Sequence, residues 1–319
     1  MYKNNSRFSS NLKGCSPLQL SCNLTGMKPA IGYYSYTYRL TVILKLTIIK
    51  RFIQILICLI VGLNICNGQG RVITRIESVQ SLYIETYFND TPLSSATGFV
   101  IKSKSKNYLI TNWHVATNKD PKTKTWIDPK IPISPNKIKI VHNSDTLGNY
   151  TIKTENLIDA KGKELFKQFE IEKEMVDVVA IPLIDTIKNV KLYPVDYSQT
   201  YDSLIITPTD RVFVLGFPLG LHAAPVMPIW KSGLIASEPD IDQEGKPIIW
   251  IDILGYGGMS GSPVYYITDK LSYKNGSTAN LIGGNQTFFM GVFSHGRFDI
   301  STGALWKSTY LKTIFDSLP

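Results

Sequence analysis

From residue 71 to the C-terminus, clusters of Gly, Pro, Asn, Asp and Ser cut the chain into short segments. Few helical stripes of any length survive between them. What remains is rich in β-branched and aromatic residues: Leu82–Phe88, Thr97–Lys102, Tyr108–Thr111, Ile138–His142, Val176–Pro182, Arg211–Gly216, Ile229–Ser237, Ile248–Ile253, Ser262–Ile267 and Phe288–Ser294. Many short strands at regular spacing predict an all-β sandwich or barrel. The helix candidates are Lys163–Glu174 and the chain end, Ser308–Leu318. The Lys/Asp/Pro-rich stretch from Asn118 to Lys137 reads as a long surface loop whose charge serves solubility. A part in substrate recognition is the second reading, since long ordered loops often carry function.

Charge separates the first seventy residues from the rest. They hold eight Lys or Arg and no Asp or Glu. Removing those eight from the total of 34 leaves 26 basic residues against 25 acidic ones beyond position 70. The formal charge of +9 therefore belongs to the leader. The remainder is nearly neutral and offers no polyanion-binding surface, so nucleic acid is not an expected partner. Within the leader, Lys50-Arg51 precedes an apolar run from Phe52 to Leu63, and small residues, Gly68 and Gly70, follow. That order is a secretory signal, and the run is shorter than the roughly 20 apolar residues of a comfortable span. A signal anchor is the alternative. Either way the expected location is extracytoplasmic, periplasmic or secreted, and the leader, if uncleaved, is the only expected membrane contact. The unusual stretch ahead of Lys50 fits a start codon assigned too far upstream.

All four cysteines (Cys15, Cys22, Cys58, Cys66) fall in the leader. A domain spanning 71–319 has no internal disulfide and must rest on its core, for which roughly 250 residues suffice.

Three positions carry candidate chemistry. Gly257-Gly258-Met259-Ser260-Gly261-Ser262-Pro263 places a serine between glycines. Such a loop can expose a hydroxyl while neighbouring backbone N–H groups turn toward one point, as acyl transfer requires. Alone it is an ordinary turn composition. His114 ends the run Tyr-Leu-Ile-Thr-Asn-Trp-His, directly after an apolar strand. Asp177 opens the apolar strand Asp-Val-Val-Ala-Ile. An acid there is costly to bury unless hydrogen-bonded, and a histidine N–H is a suitable partner. His142 and His222 read as structural or surface residues.

With these residues the chain resembles the trypsin-like (chymotrypsin-fold) serine peptidases, in particular disulfide-free bacterial members of the HtrA and glutamyl-endopeptidase type. The resemblance rests on Ala96–Ile101 with Leu109–Val115, on Asp177–Ile181, on Val214–Gly220 and on Gly258–Val264. A weaker block, Gly291–Gly296, resembles the strand that binds the substrate backbone. The order His, Asp, Ser separates it from subtilisin-like enzymes and α/β-hydrolases.

The resemblance implies two packed antiparallel six-stranded β-barrels, over about 75–190 and 200–305, and a terminal helix at 308–318. It implies a serine endopeptidase acting on polypeptides without cofactor or metal, with His114, Asp177 and Ser260 as a triad and the N–H groups of Gly258 and Ser260 as the oxyanion hole. Each such donor is worth about 3–4 kcal/mol in comparable sites. Met259 stands where many zymogens carry an activating Asp, so activation by N-terminal insertion is not expected. Six residues before the serine, Leu254 is the expected pocket floor, with Phe293 and Gly303 as walls, implying apolar or small side chains. Ser294 and His295 complete the expected substrate contacts. An inactive trypsin-like fold used as a binding module, and an esterase on the same scaffold, are the competing functions. Oligomeric state has no signature in the sequence.

Overall fold

A computed structural model describes residues 45–46, 48–51, 53–54, 75–146, 148–183, 189–297 and 300–319, without the side chains of His295 and Arg297. The chain divides into two compact units, residues 1–70 and 71–319. The signal-peptide reading of the first unit lies almost wholly outside the described residues. Among the described residues no helix is long and apolar enough to cross a membrane.

The second unit is built almost entirely of strands. Its N-terminal half contains β1 (Ser81–Phe88), β2 (Thr91–Ser103), β3 (Lys106–Thr111), β4 (Lys137–Asn143), β5 (Tyr150–Asn156), β6 (Lys167–Ile171) and β7 (Glu174–Pro182), with the short helix α1 (Trp113–Thr117) after β3. These strands form one antiparallel sheet in the order β5-β4-β1-β2-β3-β7-β6. The half therefore has seven strands where six are expected. The C-terminal half contains β8 (Arg211–Gly216), β9 (Ile229–Ile235), β10 (Ile248–Asp252), β11 (Pro263–Thr268), β14 (Gln286–Arg297) and β15 (Thr302–Lys307). They close into a six-stranded barrel. A small hairpin, β12 (Lys270–Ser272) with β13 (Thr278–Asn280), lies between β11 and β14, and α2 (Ser308–Ser317) ends the chain. The all-β class, the barrel and the terminal helix agree with the sequence reading.

One of the two expected helices is absent. Lys163–Glu174 is not a helix; it contains β6 and the turn into β7. Glu172 and Lys173 both adopt left-handed conformations (φ 49° and 71°), the geometry of a two-residue hairpin turn. Pairing of Ile171 with Glu174 and of Gln168 with Val179 satisfies the strand's backbone, and this outweighs the helical preference of a Lys/Glu-rich stretch.

Strand alternation sorts side chains into three cores. Ile84, Val100, Leu109, Ile140, Val179 and Ile181 fill the N-terminal half. Val214, Ile251, Met259, Val264, Phe293 and Leu305 fill the barrel. Phe99, Ile101, Val176, Val178, Leu215, Trp306 and Phe315 lie between the halves. The Ala96–Ile101 part of β2 and most of β7 are buried on both faces and join two of these cores. The chain end is tied to β2 and β3: Ser103 Oγ donates to Phe315 O (2.8 Å) and Tyr108 OH donates to Pro319 O (2.8 Å).

His142 on β4 is fully buried, and neither ring nitrogen has a hydrogen-bond partner. Burial pushes its imidazole down from 6.5 to about 4, helped by the positive charge of Lys153. Above pH 6.5 the ring is neutral in folded and unfolded chains alike. Below that, the unfolded chain takes up a proton that the folded chain refuses, so stability falls as pH drops from 6.5 toward 4. The full loss is about 3 kcal/mol. Urea melts at pH 7.0 and 4.5 should show this loss in the native chain and a smaller one in His142→Leu.

Candidate active site

The antiparallel pairing of β3 and β7 assembles the first two side chains. Thr111 pairs with Val179, which sets the start of β7 beside the residues that follow β3. Asn112 fastens the junction, its Nδ2 donating to the backbone oxygen of Asp177 (2.6 Å). His114 lies in the first turn of α1. Its backbone N–H donates to Asp177 Oδ1 (2.9 Å), and its Nδ1 stands 2.7 Å from Asp177 Oδ2. The Ser294 hydroxyl, from β14, donates to the same Oδ2.

Asp177 is fully buried. Burial alone pushes its carboxyl up, but attraction to the His114 ring when that ring carries a second proton, together with hydrogen bonds from the ring, the Ser294 hydroxyl and the His114 backbone, outweighs it. The carboxyl is held below its ordinary value and stays ionised. An ionised carboxylate only accepts, so Nδ1 must carry the ring proton. Nε2 is left with its lone pair facing Ser260 Oγ at 2.9 Å.

The serine loop is shaped by positions where only glycine fits. Gly258 has φ +91°, and a Cβ there would stand 2.2 Å from Phe217 O. Gly261 has φ +83°, and a Cβ there would stand 2.1 Å from Thr97 O. Thr97 braces the loop from the N-terminal half: its Oγ1 donates to Gly258 O (2.8 Å), and its N–H donates to Ser260 O (2.9 Å). The Leu219 N–H donates to Gly257 O (2.7 Å). A trans peptide directs its C=O and N–H oppositely, so this bond turns the Gly258 N–H toward the Ser260 side. Among the described residues neither the Gly258 nor the Ser260 N–H has an internal acceptor. Leu219 itself is left-handed (φ 53°, ψ 28°), a conformation that costs a non-glycine residue about 1–3 kcal/mol.

Gly258→Ala forces the loop to move, because the new methyl meets Phe217 O and the backbone favours glycine. With the Gly258 N–H as the oxyanion donor that the sequence resemblance implies, the fluorophosphonate labelling rate should fall about 10²–10³-fold, the usual effect of losing one such donor. Circular dichroism checks that the fold is kept.

A cleft of about 860 Å³ opens above these residues, between the two halves. His114, Ser260 and Ser294 lie on its floor, and Met175, Ile248 and Trp250 give it an apolar flank. Its rim draws on the 118–137 loop, through Asp120 to Thr123, and on Glu244 and Lys246. That loop is thus part of the cleft wall as well as a charged surface. Lys246 pairs with Glu174 across the rim (2.5 Å).

The remaining sequence candidates separate. Phe293 lines the cleft but is only 2% exposed. Its ring rests on Gly303, where a Cβ would meet it at 2.4 Å. Ser294 is turned onto Asp177. His295 lies on β14, but its side chain is outside the described residues. Leu254 is 41% exposed and is not among the residues lining the cleft. Asn112, Thr97 and Leu219 were not singled out from the sequence for their parts. All three sit inside blocks that carry the resemblance; Asn112 acts through its amide, Thr97 through its hydroxyl and N–H, and Leu219 through its backbone alone. Among the described residues no group of His, Cys, Asp or Glu is placed to hold a metal ion.

Residues 96–271 match the protein family described as the trypsin-like peptidase domain. No curated protein matches the sequence. Among solved structures, the serine endoprotease from Yersinia pestis is similar at 14% identity and a TM-score of 0.41, over 77% of this chain and 67% of that one. The thermostable serine protease AL20 from an extremophilic microorganism is similar at 12% identity and a TM-score of 0.42, over 76% and 97%. Human heparin binding protein is similar at 10% identity and a TM-score of 0.43, over 78% and 95%.

Proposed function

Since the chain belongs to the family of trypsin-like peptidase domains, serine-type endopeptidases, we propose that it cleaves polypeptides through His114, Asp177 and Ser260 with an acyl-enzyme on Ser260. The observation that carries this reading is the continuous chain from Asp177 Oδ2 through His114 Nδ1 and Nε2 to Ser260 Oγ, at 2.7 and 2.9 Å.

In the first step Ser260 Oγ bonds to the scissile carbonyl carbon while Nε2 takes the hydroxyl proton. The carbonyl oxygen becomes an oxyanion and accepts from the Gly258 and Ser260 N–H groups. Asp177 balances the imidazolium that forms. As the tetrahedral centre collapses, the C–N bond breaks and the Nε2 proton passes to the leaving amine. Water then attacks the ester with its proton going to Nε2, and Oγ recovers that proton as the acid leaves. The substrate backbone pairs with residues 294–296, which continue β14 past the end of its ladder with β11 at Val292.

The basic, acid-free leader with its short apolar run supports an extracytoplasmic location in the same reading. The test is covalent labelling of the full chain by a fluorophosphonate, with the adduct mapped by mass spectrometry. We expect the label on Ser260 and none in Ser260→Ala or His114→Ala. A folded native chain that stays unlabelled overturns the reading.

A further inference from the structure

Two segments flank the path of the side chain just before the cut. When that residue's carbonyl carbon is on Ser260 and its oxygen points at Gly258, its backbone runs along residues 294–296. Its side chain must then enter between Tyr256-Gly257 on one side and Ser294 and Gly296 on the other, four residues that line the cleft. The wall of that entrance is Phe293. Its backbone is fixed through both its groups to the two residues after Ser260, with Gly261 N–H donating to Phe293 O (2.9 Å) and Phe293 N–H donating to Ser262 O (2.9 Å). Because strand side chains alternate, Ser294 faces Asp177 while Phe293 faces the barrel. The ring lies against Gly303, whose missing side chain makes room for it, and Ile253 closes the far side. At 2% exposure the ring has the space to itself.

Resting on the endopeptidase reading above, we propose that Phe293 fills the specificity pocket and that the enzyme cuts after residues with small side chains, Gly, Ala or Ser. A Leu, Phe, Lys or Arg there has to displace an aromatic ring packed in the barrel core. Leu254 plays no part, being outside the cleft. Phe293, with Gly303 beneath it, is the residue that determines specificity.

A randomised peptide library, incubated with the full native chain and with Phe293→Val, reads the residue before each cut. The native chain should favour Ala over Leu by about tenfold or more, the scale on which an apolar pocket discriminates a few methylenes. Phe293→Val should reverse that preference toward Leu, Met or Phe by a similar factor. Phe293→Leu, which keeps more of the core volume, should shift it less and replaces the valine variant if that one melts below the assay temperature. Preference of the native chain for large side chains overturns the inference, and so does an unchanged profile in a folded variant. Fluorophosphonate labelling is run alongside. An unlabelled native chain defeats the endopeptidase reading itself, whereas a labelled chain that cuts after large residues defeats only the filled pocket.

Discussion

Ser260→Ala should abolish covalent labelling and lower kcat by about 10⁶-fold, with the fold intact. The hydroxyl's hydrogen-bond partner is His114 Nε2, so its loss frees one side chain that is already partly exposed. The backbone contacts of residue 260 do not depend on the side chain, since Thr97 N–H donates to its carbonyl oxygen. The melting midpoint should therefore change by less than about 0.5 kcal/mol equivalent. Residual turnover, about 10³–10⁴-fold over water, would come from the oxyanion donors and substrate binding. His114→Ala should do comparable damage, and the double variant should be little worse than either single one. Groups that act as one unit fail together. Additive losses in the double variant would mean that Ser260 and His114 do not form such a unit.

The parts of this site legible in the sequence are those that need a particular residue type. In the proposed reaction a nucleophile calls for a serine, Ser260, a base calls for a histidine, His114, and a buried acid opening an apolar strand, Asp177, needs a partner. A backbone forced to φ +91° needs Gly258. The candidate strands were legible for a similar reason, since β-branched and aromatic runs between turn residues have few other uses. Features that depend on tertiary pairing were hidden. β6 carries helix-favouring residues and is a strand because the Glu172-Lys173 turn returns it onto β7. β15 begins Thr-Gly-Ala, a weak strand signal, yet it is held between β10 and β14.

The oxyanion geometry was hidden more deeply. Gly257 and Gly258 permit the required peptide orientation without selecting it. The bond from Leu219 N–H selects it, and Leu219 reaches that position in a left-handed conformation that its residue type does not advertise. The pocket wall illustrates a different limit. Counting back from Ser260 finds the pocket floor at Leu254 only if the loop keeps a standard path, and here Leu254 is partly exposed and does not line the cleft. Phe293 was found by its place after Gly291-Val292 on the substrate strand, but its burial against Gly303 follows from the β14–β15 register.

Asp177→Asn should keep the geometry nearly intact and still lower kcat by about 10⁴-fold, the loss associated with this change in the family template. Three donors converge on the carboxylate: the His114 backbone N–H on Oδ1, and His114 Nδ1 with the Ser294 hydroxyl on Oδ2. An ionised carboxylate accepts all three. An asparagine has one oxygen and one NH₂, so one side must now donate. If the oxygen keeps the backbone N–H, the NH₂ faces Nδ1 and Ser294. The hydroxyl can rotate to accept, and the imidazole can accept only by moving its proton to Nε2. That tautomer donates toward Ser260 and can no longer take its proton. A neutral amide also removes the charge that balances the imidazolium in the first step. The stability effect should be small by comparison, because the amide needs less solvation than the ion it replaces inside the same cavity. Nitrogen-15 chemical shifts of His114 provide the check: the native ring should carry its proton on Nδ1, and the variant on Nε2. A variant that kept the Nδ1 proton and still lost about 10⁴ in kcat would place the effect of Asp177 in charge alone.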